Sequence, residues 1–202
     1  MANIFIISAP SGAGKSSLID ALTEKDNRLR KSVSVTTRQP RGGEKHGQHY
    51  VFTDEADFEK RLRDGEFLEH AQVHGNWYGT SRILVENELK DDYDLVLEID
   101  YQGAQILRRL YTDSISIFIL PPSKALLRSR LEKRNTDTPT TIEQRLKAAG
   151  TEIGHISEYQ YVTINDNFGD ALADLEAIVR STRITVQRCK GSHIVKDFTK
   201  DD

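Results

Sequence analysis

The fold is decided by one stretch near the beginning of the chain, Ile4-Phe5-Ile6-Ile7-Ser8-Ala9-Pro10-Ser11-Gly12-Ala13-Gly14-Lys15-Ser16-Ser17. It starts with an apolar run typical of a buried β-strand, continues as a loop with two glycines, and enters a helical pattern at Leu18. A strand, a glycine-rich loop and a helix, closed by Gly-Lys-Ser, form the P-loop motif, which binds phosphate. A flexible turn with a solvated lysine is the alternative, but the flanking strand and helix disfavour it.

The residue types of this loop suit a phosphate group. Glycine lets the main chain turn its N–H groups inward, and the next helix adds unpaired N–H donors and a partial positive charge. Lys15 can reach the β- and γ-phosphates of a nucleotide, and the Ser16 hydroxyl can join the coordination shell of Mg²⁺. Ala9 replaces the usual first glycine, which is tolerable if its φ is negative.

Composition describes an ordinary globular protein. The chain has 202 residues, 37% hydrophobic and 29% charged, which suits one domain with a sizeable core. Its net charge of −3 and pI of about 6.1 give no general attraction for nucleic acid. Cys189 is the only cysteine, which excludes an internal disulfide and fits a reducing compartment. Because we find neither a secretion signal nor an apolar run near the ~20 residues that span a bilayer, we expect a cytoplasmic protein without membrane contact.

Strand and helix patterns alternate along the chain. Buried strands are predicted at 4–8, 95–99, 116–120 and 161–165. Helices are predicted at about 15–25, 55–64, 81–90, 123–133 and 141–158, around Leu107, and from about 170 to Cys189. This order of strands and helices indicates an α/β fold with a parallel sheet flanked by helices.

Two segments depart from this pattern. Residues 34–80 contain short strands at about 32–36, 49–52, 67–73 and 77–80 between turns, which predict a small antiparallel insertion. Residues 134–145 have few apolar side chains and predict a mobile lid. Residues 1–33, 81–133 and 146–202 would then form the core of one domain, 1–202. Ligands of such sheets lie beyond the C-terminal ends of the strands, so Lys15, Asp100 and the insertion should converge there.

A second anion site is predicted within the insertion. Arg38 and Arg41 lie on a tight loop, and guanidinium groups suit bidentate binding of phosphate. Two solvated surface arginines are the alternative, although the P-loop elsewhere in the chain favours an anion site. Glu69 lies on a strand of the same insertion, where a carboxylate is usually just solvated.

Taken in order, these motifs resemble the guanylate kinase family of the nucleoside monophosphate kinase group. The resemblance runs from Asn3 to about residue 181. It rests on separate blocks in the same order along the chain, which are 8–17, 34–41, Tyr50, 69–71, 78–80, 98–103, 121–123, Arg130 with Arg134, and 164–166.

The resemblance implies a fold and a reaction. The fold is a P-loop kinase core with a small mixed GMP-binding insertion and a mobile lid. The reaction is transfer of the γ-phosphoryl group of ATP to GMP, giving ADP and GDP in purine nucleotide metabolism, with Mg²⁺ as cofactor. We also expect dGMP as a substrate, no nucleic-acid partner, and a possible homo-oligomer.

The resemblance also implies residue roles on both sides of the site. ATP would be bound by Ala9, Pro10, Ser11, Gly12, Ala13, Gly14, Lys15, Ser16, Ser17 and Asn165, with Ser16 as the protein ligand to Mg²⁺. GMP would be bound by Ser34, Arg38, Arg41, Tyr50, Glu69, Tyr78, Gly79, Thr80 and Asp100. Within this set the arginines and tyrosines would bind the phosphate, and the Ser34 and Thr80 hydroxyls would donate to guanine O6.

Glu69 would recognise the base itself. The N1–H and 2-amino groups of guanine are adjacent donors that one carboxylate can accept in parallel. Adenine has an acceptor at that ring nitrogen and lacks the amino group, and a site that leaves buried polar groups unpaired can reject an analogue by about 10⁴–10⁵. Thr80 stands where many members have serine, and the hydroxyl is kept.

The predicted catalytic residues are Lys15, Arg38, Asp100, Arg134 and Arg145. Asp100 would organise Mg²⁺, contact the guanine amino group, or do both, with a structural ion pair as the alternative. By resemblance, Arg134 and Arg145 would close over the transferring phosphoryl group, whose negative charge they would stabilise. Solvated helix arginines are the alternative.

Three other functions fit the sequence less well. A P-loop kinase acting on a ribose bisphosphate would not need Ser34, Glu69 and Thr80 together. A phosphopeptide-binding scaffold module tends to lose the working P-loop that Lys15 and Ser16 indicate here. A regulatory GTPase would carry an Asn-Lys-x-Asp motif, which we do not find. The tail 182–202 lies beyond the resemblance and has no predicted function.

Overall fold

The computed structural model describes residues 2–73, 75–133 and 138–186, together with Val195 and Asp197. The predicted lid residue Arg134 and the predicted helix end at Cys189 lie outside the described residues. Within the described part of the chain, no helix combines the length and the apolar character needed to cross a membrane.

The elements follow one another in an alternating order. In chain order they are β1 (Ile4–Ser8), α1 (Lys15–Lys25), β2 (Leu29–Lys31), β3 (Ser34–Thr36), β4 (Tyr50–Phe52), α2 (Glu55–Arg63), β5 (Phe67–Val73), β6 (Asn76–Ser81), α3 (Arg82–Lys90), β7 (Asp94–Glu98), α4 (Tyr101–Leu110), β8 (Ile115–Leu120), α5 (Lys124–Lys133), α6 (Pro139–Gly154), β9 (Tyr161–Ile164) and α7 (Phe168–Arg183). A short 3₁₀ turn, Ile156–Glu158, precedes β9.

The core is a parallel sheet with strand order β2-β7-β1-β8-β9. Successive side chains of a strand point to opposite faces, so β1 supplies both cores. Phe5 and Ile7 pack in the cluster that includes residues of α1 and α7, whereas Ile4 and Ile6 pack in the cluster that includes residues of α3 and α4. The predicted α/β fold with a helix-flanked parallel sheet is confirmed.

The insertion folds as a second sheet with strand order β4-β3-β6-β5. β5 and β6 form an antiparallel hairpin, but β3 and β4 run parallel. The insertion is therefore mixed, as the family resemblance implies, and the antiparallel arrangement predicted from the strand pattern is wrong for β3 and β4. Its small core contains Val35, Phe58 and Phe67, and the Phe58 and Phe67 rings stack with their centroids 4.6 Å apart.

Helix ends follow local chemistry. Asp54 caps α2 by accepting a hydrogen bond from the Asp57 N–H, and Asn167 caps α7 by accepting from the two N–H groups that follow Phe168. The predicted helix 141–158 instead begins at Pro139 and ends at Gly154. The described α7 ends at Arg183, earlier than expected, because Ile184 leaves the helical backbone with φ of −107° and ψ of 15°.

Candidate active site

The P-loop joins β1 to α1 with the backbone that the sequence indicates. Gly12 and Gly14 have φ of 95° and 92°, the left-handed region that glycine adopts without strain. Asp92 is the only non-glycine residue with positive φ in the described ranges, so Ala9 keeps the negative φ that an alanine needs. Asn165 supports the loop from behind by donating from Nδ2 to the Ala13 carbonyl oxygen at 2.7 Å.

Lys15 and Ser16 start α1 and turn toward the end of β7. The Lys15 Nζ donates to the Ile99 carbonyl oxygen at 2.9 Å, and the Ser16 Oγ donates to Oε1 of Glu98 at 2.5 Å. The other oxygen of Glu98 pairs with Lys31 at 2.7 Å. Burial opposes ionisation of Glu98, but the Lys15 and Lys31 ammonium groups and these hydrogen bonds outweigh it and hold its pKa below the usual value.

Arg38 lies beside two tyrosines of the insertion. Its Nε donates to the Tyr78 hydroxyl oxygen at 3.2 Å, and its guanidinium carbon lies 5.4 Å from the centre of the Tyr50 ring. Its NH2 donates to Glu44 at 2.9 Å, and Glu44 also accepts from the Arg41 main-chain N–H at 2.7 Å. Arg41, Tyr50 and Tyr78 line the same cleft as the P-loop, whereas Arg38 contacts the two tyrosines and is not part of the cleft lining.

Glu69 is buried on β5 with 5% exposure and also lines this cleft. Its Oε1 accepts a hydrogen bond from the Thr80 hydroxyl. Burial raises the pKa of Glu69 to about 7, and the negative charge of Asp100 adds to the shift. Ser34 lines the cleft as well. The predicted site residues Gly79 and Thr80 are not part of the cleft lining, since Gly79 packs on the Phe67 ring and the Thr80 hydroxyl contacts Glu69.

Asp100 caps α4 between the two halves of the site. Its Oδ1 accepts from the Gly103 N–H at 2.9 Å, and its Oδ2 accepts from the Gln102 side chain at 3.0 Å. It lines the cleft together with Lys15 and Glu69. The convergence predicted for Lys15, Asp100 and the insertion is therefore present in the fold.

Helices α5 and α6 close the site from the other side. Arg145 donates from NH1 to the Ser11 hydroxyl at 3.0 Å, so the predicted cation touches the P-loop. Arg130 donates to the Asn165 carbonyl oxygen at 2.8 Å. Glu152 lines the cleft two helical turns after Arg145 on α6, and burial raises its pKa to about 7 against the opposing effect of Lys15.

Three acids of this site had no predicted role. Glu44 holds Arg38, Glu98 holds Ser16, and Glu152 faces the cleft from α6. Glu98 carried a signal in the sequence, because it ends an apolar strand on the side of the sheet where ligands bind. Glu44 lies in the same loop as its partners Arg38 and Arg41, so its ion pair could have been predicted locally. Glu152 has no such signal, since the P-loop that it faces lies far away along the chain.

The cleft thus carries two groups of residues whose chemistry suits anions. Main-chain amides and Lys15 form one, and the tyrosine-lined arginine loop with a buried carboxylate forms the other. This arrangement defines a P-loop kinase of the class that acts on nucleoside monophosphates. The family model for guanylate kinase matches residues 1–182, and the chain belongs to the guanylate kinase family.

Known proteins agree with this assignment. The chain is 56% identical over 182 residues to a guanylate kinase of Methylobacillus flagellatus, covering 90% of both proteins. It is 52% identical over 185 residues to a guanylate kinase of Thiobacillus denitrificans, covering 92% of this chain and 88% of the relative. The crystal structure of guanylate kinase from Anaplasma phagocytophilum superposes with a TM-score of 0.78 at 32% identity, covering 100% of this chain and 97% of the other.

The predicted family and activity are thereby confirmed. The chain is an enzyme, an ATP:GMP phosphotransferase.

Proposed function

We propose that this chain phosphorylates GMP by holding it between the insertion and the P-loop. The residues of the insertion bind GMP, and those of the P-loop bind the phosphates of ATP. The observation that carries the proposal is that Glu69, a buried carboxylate of the insertion, lines the same cleft as Lys15. A group that can accept from guanine therefore faces a group that can bind the phosphates of ATP.

On the ATP side, the loop 9–17 binds the phosphates through its main-chain N–H groups, and Lys15 neutralises their charge. Asn165 and Arg130 fix the shape of the loop, since Asn165 donates to its Ala13 carbonyl oxygen and Arg130 donates to the Asn165 carbonyl oxygen. Asn165 also borders the adenine in this proposal, because it lines a second depression beside Gly14 and Ser17.

Mg²⁺ is the proposed cofactor, and the donor set fits it. The Ser16 hydroxyl and the Glu98 carboxylate lie together, and such hard oxygen groups are the ones that Mg²⁺ prefers. Ser16 would hold the ion directly with phosphate oxygens and water, and Glu98, bonded to Ser16, would orient it. When bound, the ion neutralises charge on the β- and γ-phosphates. Asp100 is assigned to the guanine side, because its charge acts on Glu69.

On the GMP side, Arg41, Tyr50 and Tyr78 bind the phosphate from the cleft wall. Arg38 positions the tyrosines in the observed arrangement, in which its guanidinium group pairs with Glu44. Release from Glu44 would let Arg38 reach the phosphate. Glu69 and Ser34 recognise the guanine base. Thr80 acts through Glu69 in this proposal, since its hydroxyl donates to that carboxylate.

The transfer itself needs no protein nucleophile. A phosphate oxygen of GMP forms a bond to the γ-phosphorus as the bond from that phosphorus to the bridging oxygen of ATP breaks, and ADP leaves with the electron pair. The GMP phosphate is already anionic near pH 7, so no strong base is required. Lys15 and Arg145, with Arg134 of the predicted lid, stabilise the charge that spreads over the transferring group.

Closure completes the site in this proposal. The insertion 34–80 and the lid 134–145 move toward the core 1–33, 81–133 and 146–202 and exclude water, since water would otherwise hydrolyse ATP. The contact of Arg145 with Ser11 supports a lid-side helix that can reach the P-loop. We further propose dGMP as a substrate, because the proposed contacts involve base and phosphate, and a cytoplasmic location, where ATP and GMP meet.

A coupled assay of the purified protein tests the proposal. We expect turnover with ATP and either GMP or dGMP, and at least about 10³-fold lower kcat/KM with AMP or UMP. Comparable turnover of AMP would contradict the role of Glu69, and turnover without added Mg²⁺ would contradict the role of Ser16.

A further inference from the structure

The carboxylate of Glu69 rests against the first turn of α4. A Cβ placed on Gly103 would lie 2.5 Å from Oε2 of Glu69 and 2.9 Å from its Cδ. Cβ atoms in proteins essentially never approach another heavy atom closer than 3.0 Å. Glu69 can therefore occupy its observed place only because residue 103 has no side chain.

The backbone does not explain this glycine. Gly103 lies within α4 and is not among the glycines with positive φ, so an L-residue could adopt its conformation. Alanine is also the better helix former at such a position. Local structure thus favours alanine at position 103, and the reason for glycine must be the space that Glu69 occupies.

The obstructed group decides what a side chain at position 103 would change. The nearest atoms belong to the far end of a glutamate side chain, which can rotate away without moving the main chain. The fold would therefore survive, whereas the carboxylate would leave its position. Oε1 would also lose its hydrogen bond from Thr80 if the whole group moved.

We propose that Gly103 is a specificity-determining positioning residue, which leaves the space in which the Glu69 carboxylate faces guanine. This inference rests on the proposed role of Glu69. Two parallel hydrogen bonds to N1–H and the 2-amino group require both oxygens in place, and a displacement of roughly 1 Å is enough to cost about 10²-fold in a positioned reaction.

Inosine monophosphate is the discriminating substrate. It keeps N1–H and O6 but lacks the 2-amino group, so it needs only one acceptor from Glu69. Displacing the carboxylate should therefore lower kcat/KM more for GMP than for inosine monophosphate. A general loss of activity would lower kcat/KM equally for both substrates.

The test compares Gly103→Ala with Gly150→Ala. Gly150 is an exposed glycine of α6, and an added Cβ there would have no heavy atom within 4 Å apart from the adjacent backbone of its own helix, so it reports the effect of a helical alanine alone. For Gly103→Ala we expect kcat/KM for GMP to fall at least about 30-fold, with the preference for GMP over inosine monophosphate reduced about tenfold. The KM for ATP and the melting temperature should match those of Gly150→Ala.

A second variant tests the mechanism of the loss. Glu69→Asp in the Gly103→Ala background withdraws the carboxylate from the added Cβ, and we expect part of the lost GMP preference to return. An unchanged GMP preference in Gly103→Ala, or failure of that variant to fold, would overturn the inference. If Glu69→Gln also left GMP preference unchanged, the proposed function would fail as well, and the two failures are thereby separated.

Discussion

The ammonium group of Lys15 donates a hydrogen bond to the main-chain carbonyl oxygen of Ile99, with 2.9 Å between Nζ and O. Lys15 begins the helix after the P-loop, and Ile99 follows the central strand β7. The bond holds the lysine over the cleft between Glu98 and Asp100, both of which also line it. The bond thus places the cation at the wall of the cleft.

Replacing Lys15 should remove catalysis and leave the fold. We expect Lys15→Ala to lower kcat by at least about 10³-fold, because a fixed cation on the transferring group is lost. Far-ultraviolet circular dichroism and the melting temperature should stay near those of the wild type. Lys25→Ala is the matched control, since Lys25 lies on the surface end of the same helix and pairs with Glu176. Near-normal turnover of Lys15→Ala would contradict the P-loop assignment.

The affinity for GMP should depend on the charge of Glu69. Its pKa is raised to about 7 by burial and by Asp100, and the protonated acid offers a donor where guanine needs an acceptor. The Kd for GMP should therefore rise as the pH falls from 8 to 6, measured by calorimetry. GMP itself gains a proton near pH 6, so the midpoint alone is not decisive.

The variant Asp100→Asn distinguishes titration of the Glu69 carboxyl from titration of the GMP phosphate. It removes a charge that raises the pKa of Glu69, and asparagine can still cap α4. The midpoint of the pH dependence should move to lower pH in this variant, whereas the pKa of the GMP phosphate is the same for both proteins. Identical midpoints would exclude Glu69 as the titrating group.

The buried carboxylate of Glu69 should also lower the free energy of unfolding when it is ionised. Its pKa is about 7 in the folded state and near 4.5 when unfolded, so between these values the folded protein binds the extra proton. Stability should thus fall as the pH rises from 4.5 to 7 and stay low above that range. Glu69→Gln cannot ionise, and we expect it to raise the free energy of unfolding at pH 8 by on the order of 2 kcal/mol.

Urea unfolding without nucleotide measures this difference. The gain in Glu69→Gln should vanish near pH 4.5, where the wild-type carboxyl is protonated in the folded state. Glu24→Gln, which changes an exposed acid of α1, should show no comparable gain. An equal stability of wild type and Glu69→Gln at pH 8 would show that the buried charge has no net cost.

The Glu98 carboxylate should determine the Mg²⁺ concentration that the enzyme needs for activity. It accepts from the Ser16 hydroxyl, and a residue that orients a metal ligand usually changes metal affinity about 10–100-fold when replaced. We expect Glu98→Gln to raise the half-saturating Mg²⁺ concentration by about tenfold or more, with Glu86→Gln of the exposed α3 surface as control. An unchanged Mg²⁺ requirement would limit Glu98 to its ion pair with Lys31.

The sequence predicts most of the core because the core strands are continuous apolar runs. β1, β7 and β8 each appear as such a run, and each is buried on both faces. The sequence does not predict β2, because Leu29-Arg30-Lys31 is short and charged and forms a strand through its pairing with β7. The parallel pairing of β3 with β4 also depends on how distant segments meet.

The site could be predicted where residue chemistry is local and not where it depends on partners. The P-loop glycines and Lys15 follow from the loop pattern alone. The bond between Ser16 and Glu98 joins residues 82 positions apart, and nothing in either segment states that they meet. The closeness of Gly103 to Glu69 likewise arises from the packing of α4 against the insertion.

The most direct test of the account is the ratio of kcat/KM for GMP to kcat/KM for AMP, measured for the wild type and for Glu69→Gln in one coupled assay. Glu59→Gln, an exposed acid of α2, serves as the control. The account predicts that the ratio falls at least about 100-fold in Glu69→Gln and stays near the wild-type value in the control, with the KM for ATP unchanged in both. A ratio in Glu69→Gln equal to that of the wild type would contradict recognition of guanine by the buried carboxylate.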